Sequence, residues 1–451
     1  MLRHGSTTTF ALRLGFTLAL TGGAAVPAAD GDLDTAGFHP PDGWAAIELP
    51  LTDVWSGRGT LAPDEALVFA GHTEDHNLHW VRVTPTGVDS SCTVAPPEGH
   101  AASVFDATFD SQGRLLLVGK TWNSFVSVYQ PFIARFLYPD CLPDPDFLGE
   151  GFRVEGTNAD TTPVRIATMW VGQYPFRFER IVVAAYDSDG RSWAFRYRID
   201  GEDDPSFGIN GKRELEGWQA GQRVYLRDMV VDSEGRMLFA GHVGFCFPCE
   251  WDAYLHRILP NGEDDTTFMI AGLIPRHWDY VAGGSSSCLA LAISAEGDHY
   301  CAGVADTSGT PARRFAVTRL APQGQLLETV VRASSYFRNP CGVALQGDGR
   351  LIVAGTSSEP GHDLFVTALT VPDLDFDPEF GDTTPADPFT PIDLGIPVNA
   401  TSCSMRFDGS GRPVVFTDFQ VSGGLLIGAV ARLENRYVFA DGFESGDRSR
   451  W

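Results

Sequence analysis

Three imidazoles fall within eight residues in GHTEDHNLHW, at His72, His76 and His79, with Glu74 and Asp75 between them. Clustered neutral imidazoles can hold zinc or copper. The same residues also suit a solvated loop, and no other part of the chain repeats them, so no metal is assigned. Cys246-Phe-Pro-Cys249 is a CxxC pair. Redox chemistry needs a thiolate stabilised by a cation or a helix N-terminus. Here Glu250 and Asp252 stand beside the pair and disfavour the thiolate, so it reads as a disulfide clip. Asp373, Asp375, Asp377 and Glu379 alternate along an acidic turn. Calcium takes oxygens from such loops, but the glycine of an EF-hand loop is missing, and a solvated acidic face is the preferred reading. No cofactor is assigned, with calcium kept as the one candidate. The chain contains no G-x-S-x-G elbow, phosphate-binding glycine loop or H-E-x-x-H pair.

Aromatic side chains gather in three segments that should connect strands: His72 to Trp80, Trp122 to Phe132 and Phe245 to Trp251. Trp122, Phe125 and Trp251, with His72, His76 and His79, are the candidate binding residues, because exposed aromatics mark contact surfaces. His72 and His242 directly follow an Ala-Gly pair. Other units place Lys120, Tyr186, Val304, Thr356 and Asp418 there, the scatter expected of a rim position free to vary.

What positions these residues is a repeat. DSQGRLLLVG, DSEGRMLFAG and QGDGRLIVAG end at Gly119, Gly241 and Gly355, and equivalent ends fall at Gly71, Ala185, Gly303 and Thr417. The mean step is about 58 residues, suited to repeats of several strands. Each unit reads as two apolar strands joined by a Gly-Arg turn, an aromatic-rich strand, an acidic turn closed by Phe, and a fourth strand. Seven four-stranded units predict an all-β chain folded as a seven-bladed β-propeller. The seventh unit stops after its third strand, near Arg436. Its missing turn and strand occur at the start of the chain, in DGDLDTAGF and Gly43 to Leu49. The N-terminal strand should therefore close the last blade and hide two sheet edges. Arg82, Arg135, Arg196, Arg257, Arg319 and Arg432 recur at one repeat position, with Ala368 in unit six. A residue used repeatedly at one position is structural first, and these should pair with the acids of the turn that follows.

Arg3 and Arg13, the apolar run Leu14 to Leu20 and the small residues through Ala28 read as a signal peptide over residues 1–28, leaving a propeller over 29–436 and a tail over 437–451. The formal charge of −25 disfavours nucleic acid and anionic lipid. No later run is long enough to span a bilayer. Eight cysteines in an exported chain point to disulfides of undetermined pairing. Cys288, Cys341 and Cys403 hold one repeat position, just before the first strand.

The pattern D-G-R-hydrophobic-A-G, F-A-x-x-R-L and D-x-x-F-G over residues 30–436 resembles the delta-60 repeat family of secreted bacterial proteins. That resemblance implies export and a propeller-like fold, and it carries no catalytic residues. The tail YVFADGFESGDRSRW looks like a C-terminal sorting motif of exported bacterial proteins. The chain reads as a periplasmic, cell-surface or extracellular monomer, binding or scaffolding a protein or glycan through a channel mouth. The alternatives are a polysaccharide-active hydrolase or lyase and a calcium-dependent adhesion module.

Overall fold

The computed structural model describes residues 33–51 and 58–434, apart from 74, 98–99, 218, 246–249, 269–275, 282–283, 307–312, 334–336, 348, 358–362, 382–387, 396–399 and 421–425. The signal peptide, the CxxC pair and the tail lie outside the described residues.

Every described sheet is antiparallel, and the seven sheets form seven blades, as the repeat predicts. The first strands are Gly59–Leu61, Ala102–Phe109, Thr161–Val171, Arg223–Val231, Ser285–Ile293, Phe337–Leu345 and Ala400–Phe407. Each touches the first strand of the next blade, and blade 7 touches blade 1, so these are the inner strands of a closed ring. One apolar core lies at each of the seven blade interfaces. Second strands are therefore covered on both faces. Leu67–His72 and Arg350–Ser357 are buried along their whole length, which is why they read as unbroken apolar runs.

The ring closes where the split repeat predicts. Trp44–Leu51 pairs antiparallel with Leu426–Arg432 as the outer strand of blade 7, with Trp44 opposite Ala431. Phe38, Ala45 and Ile47 enter the core shared by blades 7 and 1.

The Ala-Gly ends follow from a β-bulge. The inner strands of blades 2, 4, 5 and 6 each bulge opposite this pair, at Phe105, Arg227, Leu289 and Cys341. The bulge presses a carbonyl against the glycine. A Cβ at Gly119, Gly241, Gly303 or Gly355 would collide with the carbonyl oxygen of Ser103, Tyr225, Ser287 or Asn339. Blade 3 bulges at Val164 and has Ala185 there.

The repeated arginines tie turn to blade and blade to blade. Arg135, Arg196 and Arg257 meet Asp144, Asp204 and Asp265 of the following turns at 2.8, 3.0 and 2.8 Å. Each guanidinium lies over the closing phenylalanine, 4.9, 4.7 and 4.6 Å from the rings of Phe147, Phe207 and Phe268. Each also donates to a carbonyl of the next blade, at Ile199, Pro260 and Pro322. Arg432 repeats the pattern across the chain ends, with Asp34 at 2.7 Å and Phe38 at 5.1 Å.

Units one and five lack the acidic turn, and their arginines find other acids. Arg82 pairs with Asp64 at 3.0 Å and with Asp89, while Arg319 pairs with Asp298 at 2.6 Å. Blade 6, with Ala368 at the arginine position, supplies Arg350 from its hairpin instead. That guanidinium reaches Asp377 at 3.5 Å and lies 5.6 Å from the Phe380 ring.

Among the described residues three disulfides are formed. Cys92–Cys141 and Cys341–Cys403 join blade 1 to 2 and blade 6 to 7, and Cys288–Cys301 lies within blade 5. Cys288, Cys341 and Cys403 sit inside the inner strands, not before them, because those strands begin several residues earlier than their apolar centres suggest.

Candidate functional site

The same bulge that fixes the glycines turns residues toward the axis. Three repeat positions converge on one mouth of the ring. The residue after the Ala-Gly end contributes Tyr186, His242, Val304 and Thr356. The residue two before the bulge contributes Tyr225, Ser287 and Asn339, and the bulge itself Arg227, Leu289 and Cys341. With Arg58 from the start of blade 1, Trp251, Asp306 and Arg313 they line a cavity of about 710 Å³.

Its wall at blades 3 and 4 is aromatic. Trp251 meets Tyr225 at 5.4 Å and His242 at 4.9 Å, both edge to face, and Tyr225 meets Tyr186 at 5.5 Å. His242 is held neutral: burial, with the Arg227 charge adding, drops its pKa to about 3. Its Nδ1 lies 3.0 Å from Ser287 Oγ.

Charge in the cavity is unevenly satisfied. Arg313 is neutralised by Asp306, with two contacts at 2.7 and 2.8 Å, and donates to Asn339 Oδ1 at 2.8 Å. Arg58 and Arg227 have no ion pair among the described residues. Arg58 Nη1, Arg227 Nε and Thr356 Oγ1 are buried without a hydrogen-bond partner.

A second set of charges fills the channel axis. The first residues past the bulge in blades 2, 3 and 4 are Asp106, Arg165 and Asp228, where blades 5 and 6 have Ala290 and Gly342. Arg165 Nε donates to Asp228, and its Nη1 lies 3.8 Å from Asp106. The two carboxylates clamp neighbouring blades by accepting from Ile166 N at 3.0 Å and Leu291 N at 2.8 Å. Burial raises Asp106 to about 7, against the charge of Arg406 and its backbone hydrogen bonds.

Of the six candidate residues read from sequence, Trp251 lines this cavity. Trp122 is partly exposed and packs edge to face on Tyr129 at 5.0 Å, and Phe125 is 97 % exposed at the tip of its hairpin. Those two make a separate spot on blade 2. His72 is buried and stacks on His76 at 6.2 Å, and buried His79 bonds Thr93 Oγ1 at 2.8 Å through Nδ1. Burial lowers the His79 pKa. No group of three or more metal-ligating side chains occurs among the described residues. Arg58 and Arg227 were not found from sequence. A charge inside an otherwise apolar strand, as in VYLRDMVV, was the available signal.

No family model and no curated protein matches the chain. Among solved structures it is similar to a protein of unknown function from Dyadobacter fermentans, with 11% identity, 91% of this chain and 100% of that one covered, and a TM-score of 0.46. A mutant of NanB sialidase from Streptococcus pneumoniae gives 10% identity, 91% and 71% coverage and a TM-score of 0.42. A mutant alpha-L-arabinofuranosidase from Fusarium graminearum gives 10%, 86% and 97%, and 0.44. Likenesses this distant say nothing about the chemistry of the site.

Proposed function

We propose that this chain is an exported ligand-binding propeller of the delta-60 repeat kind, and that its ligand enters the mouth cavity. The observation that carries this reading is the convergence of Tyr186, Tyr225, His242 and Trp251 with unpaired guanidinium groups around one cavity. Concave sites of roughly 300–1,000 Å³ lined by aromatics with a few placed polar groups are the usual form of a small-ligand site. Three disulfides suit an oxidising compartment.

A glycosidase places two carboxyl groups about the scissile bond. Among the described lining residues the carboxylate is Asp306, already held by Arg313, which favours binding.

The test is a screen of the purified protein against immobilised oligosaccharides and peptides, repeated with Tyr225→Ala, Trp251→Ala and a Trp122→Ala/Phe125→Ala pair. Binding should be lost in the first two variants and kept in the third. Binding that survives both cavity variants and fails in the blade 2 pair would move the site to the exposed hairpin.

A further inference from the structure

We infer that the cavity takes an acidic saccharide, with Arg58 and Arg227 receiving its carboxylate or sulfate group and Tyr225 and Trp251 covering the apolar face of its ring. This rests on the binding reading of the same cavity.

Charge favours an anion. The protein carries −25 overall, yet the described lining holds three arginines against one carboxylate, and Asp306 neutralises only Arg313. Two positive charges remain. In so acidic a molecule this mouth is a local point of attraction for an anion that the rest of the surface repels.

Unmet hydrogen bonding favours an oxygen-rich ligand. Buried donors left unfilled are costly. Two guanidinium nitrogens and the Thr356 hydroxyl, which is 2% exposed, stand without partners around one cavity. Planar guanidinium forks match carboxylate and other oxyanion geometry better than an ammonium does.

The combination of charge and aromatic wall narrows the ligand class. An inorganic anion would satisfy the arginines and leave the aromatic wall uncovered. A fatty acid would cover the wall and leave Thr356 unfilled. A sugar ring with an anionic substituent has an apolar C–H face, a hydroxyl edge and the charge together. The volume of about 710 Å³ leaves room for more than one such ring.

The experiment is calorimetric titration with three probes: an oligogalacturonide, its methyl-esterified neutral form and a sulfated oligosaccharide. The proteins are wild type, Arg227→Met, Arg227→Lys, Arg58→Met and Tyr225→Ala, each checked for folding by thermal melt. Wild type should bind one of the acidic probes at least about tenfold tighter than the neutral one, with affinity falling as salt rises. Which acidic probe binds separates carboxylate from sulfate. Arg227→Met should lose about tenfold or more toward the acidic probe and nothing toward the neutral one, with Arg227→Lys between. Arg58→Met carries the same expectation if Arg227→Met does not fold. Equal binding of charged and neutral probes, lost in Tyr225→Ala, would overturn the anion assignment while the cavity stands. Binding of a peptide alone would also overturn it. Acidic-probe binding that Tyr225→Ala and both arginine variants leave intact would overturn the inference and the cavity reading together.

Discussion

Asp34 is the closing acid of the ring, and Asp34→Asn tests whether the chain ends are locked by the same device as the blades. Its carboxylate is 1% exposed and accepts from Arg432 Nε at 2.8 Å, Arg412 Nη1 at 2.5 Å and Gly37 N at 2.7 Å. Breaking a buried pair by neutralising one partner costs about 3–5 kcal/mol. The Arg412 side chain is 29% exposed, which places this case near the lower end, about 3 kcal/mol. A ring of about 400 residues has an unfolding entropy near 0.85 kcal/mol/K, so the melting temperature should fall by about 3–4 °C. Burial alone pushes the Asp34 carboxyl up, but the Gly37 N–H and the charges of Arg432 and Arg412 outweigh it and hold it below the usual carboxylate range. A depressed carboxyl contributes stability that is complete above its unfolded value and lost as pH falls through its folded one. The gap between wild type and variant should therefore be constant from pH 7 to 5 and close below pH 4.

Asp204→Asn is the control, since Asp204 bonds Arg196 and Arg180 within one blade. Calorimetry should show a similar drop for both variants. Limited trypsin digestion should release the N-terminal strand from Asp34→Asn only. An unchanged melting temperature, or equal protection of that strand in the two variants, would refute the reasoning.

Two further outcomes follow from the framework. Gly241→Ala drives a Cβ into the Tyr225 carbonyl, whereas Gly156→Ala meets nothing within 4 Å; urea denaturation should show a loss of about 1–3 kcal/mol for the first and less than about 0.5 for the second. His299 is buried, and burial with the Arg257 charge lowers its pKa to about 4. Its neutral form is free of penalty above the unfolded value near 6.5, and stability drains as pH falls from there toward 4, by about 3 kcal/mol in total. His299→Gln should flatten that part of the stability profile measured against pH, and an unchanged slope would show that the ring takes up its proton in the fold.

The blades were legible because the repeat recurs at a steady step even where single copies lose a part. The Ala-Gly ends, the acidic turns and the split seventh unit each mark one position of one architecture. The pairing of arginine with the following turn holds for Arg135, Arg196, Arg257 and Arg432, while Arg82 and Arg319 find other acids. The site was legible only in part. The position after the Ala-Gly ends reads as a variable rim; in blades 3 to 6 it lines the cavity as Tyr186, His242, Val304 and Thr356, whereas His72, Lys120 and Asp418 do not line it. Aromatic content did not tell which loops meet, so Trp122 and Phe125 were grouped with Trp251 although blade 2 holds them elsewhere. Arg227 stayed hidden for a backbone reason. The bulge that turns Arg227 into the mouth inserts no residue type of its own, and alternation along the strand does not reveal it.

That bulge also explains why the mouth is lopsided. Inner-strand residues just past it are Asp106, Arg165 and Asp228 in blades 2 to 4, and Ala290 and Gly342 in blades 5 and 6. The long side chains of these adjacent blades meet one another, with Arg406 of blade 7 close enough for its charge to act on all three, whereas Ala290 and Gly342 carry no such group. The inner-strand positions that line the cavity accordingly belong mainly to blades 4 to 6, and no described residue of blade 2 reaches it. On the binding reading proposed above, specificity is set at lining positions such as Tyr225 and Arg227, which lie outside the glycines, arginines and turns that recur from blade to blade.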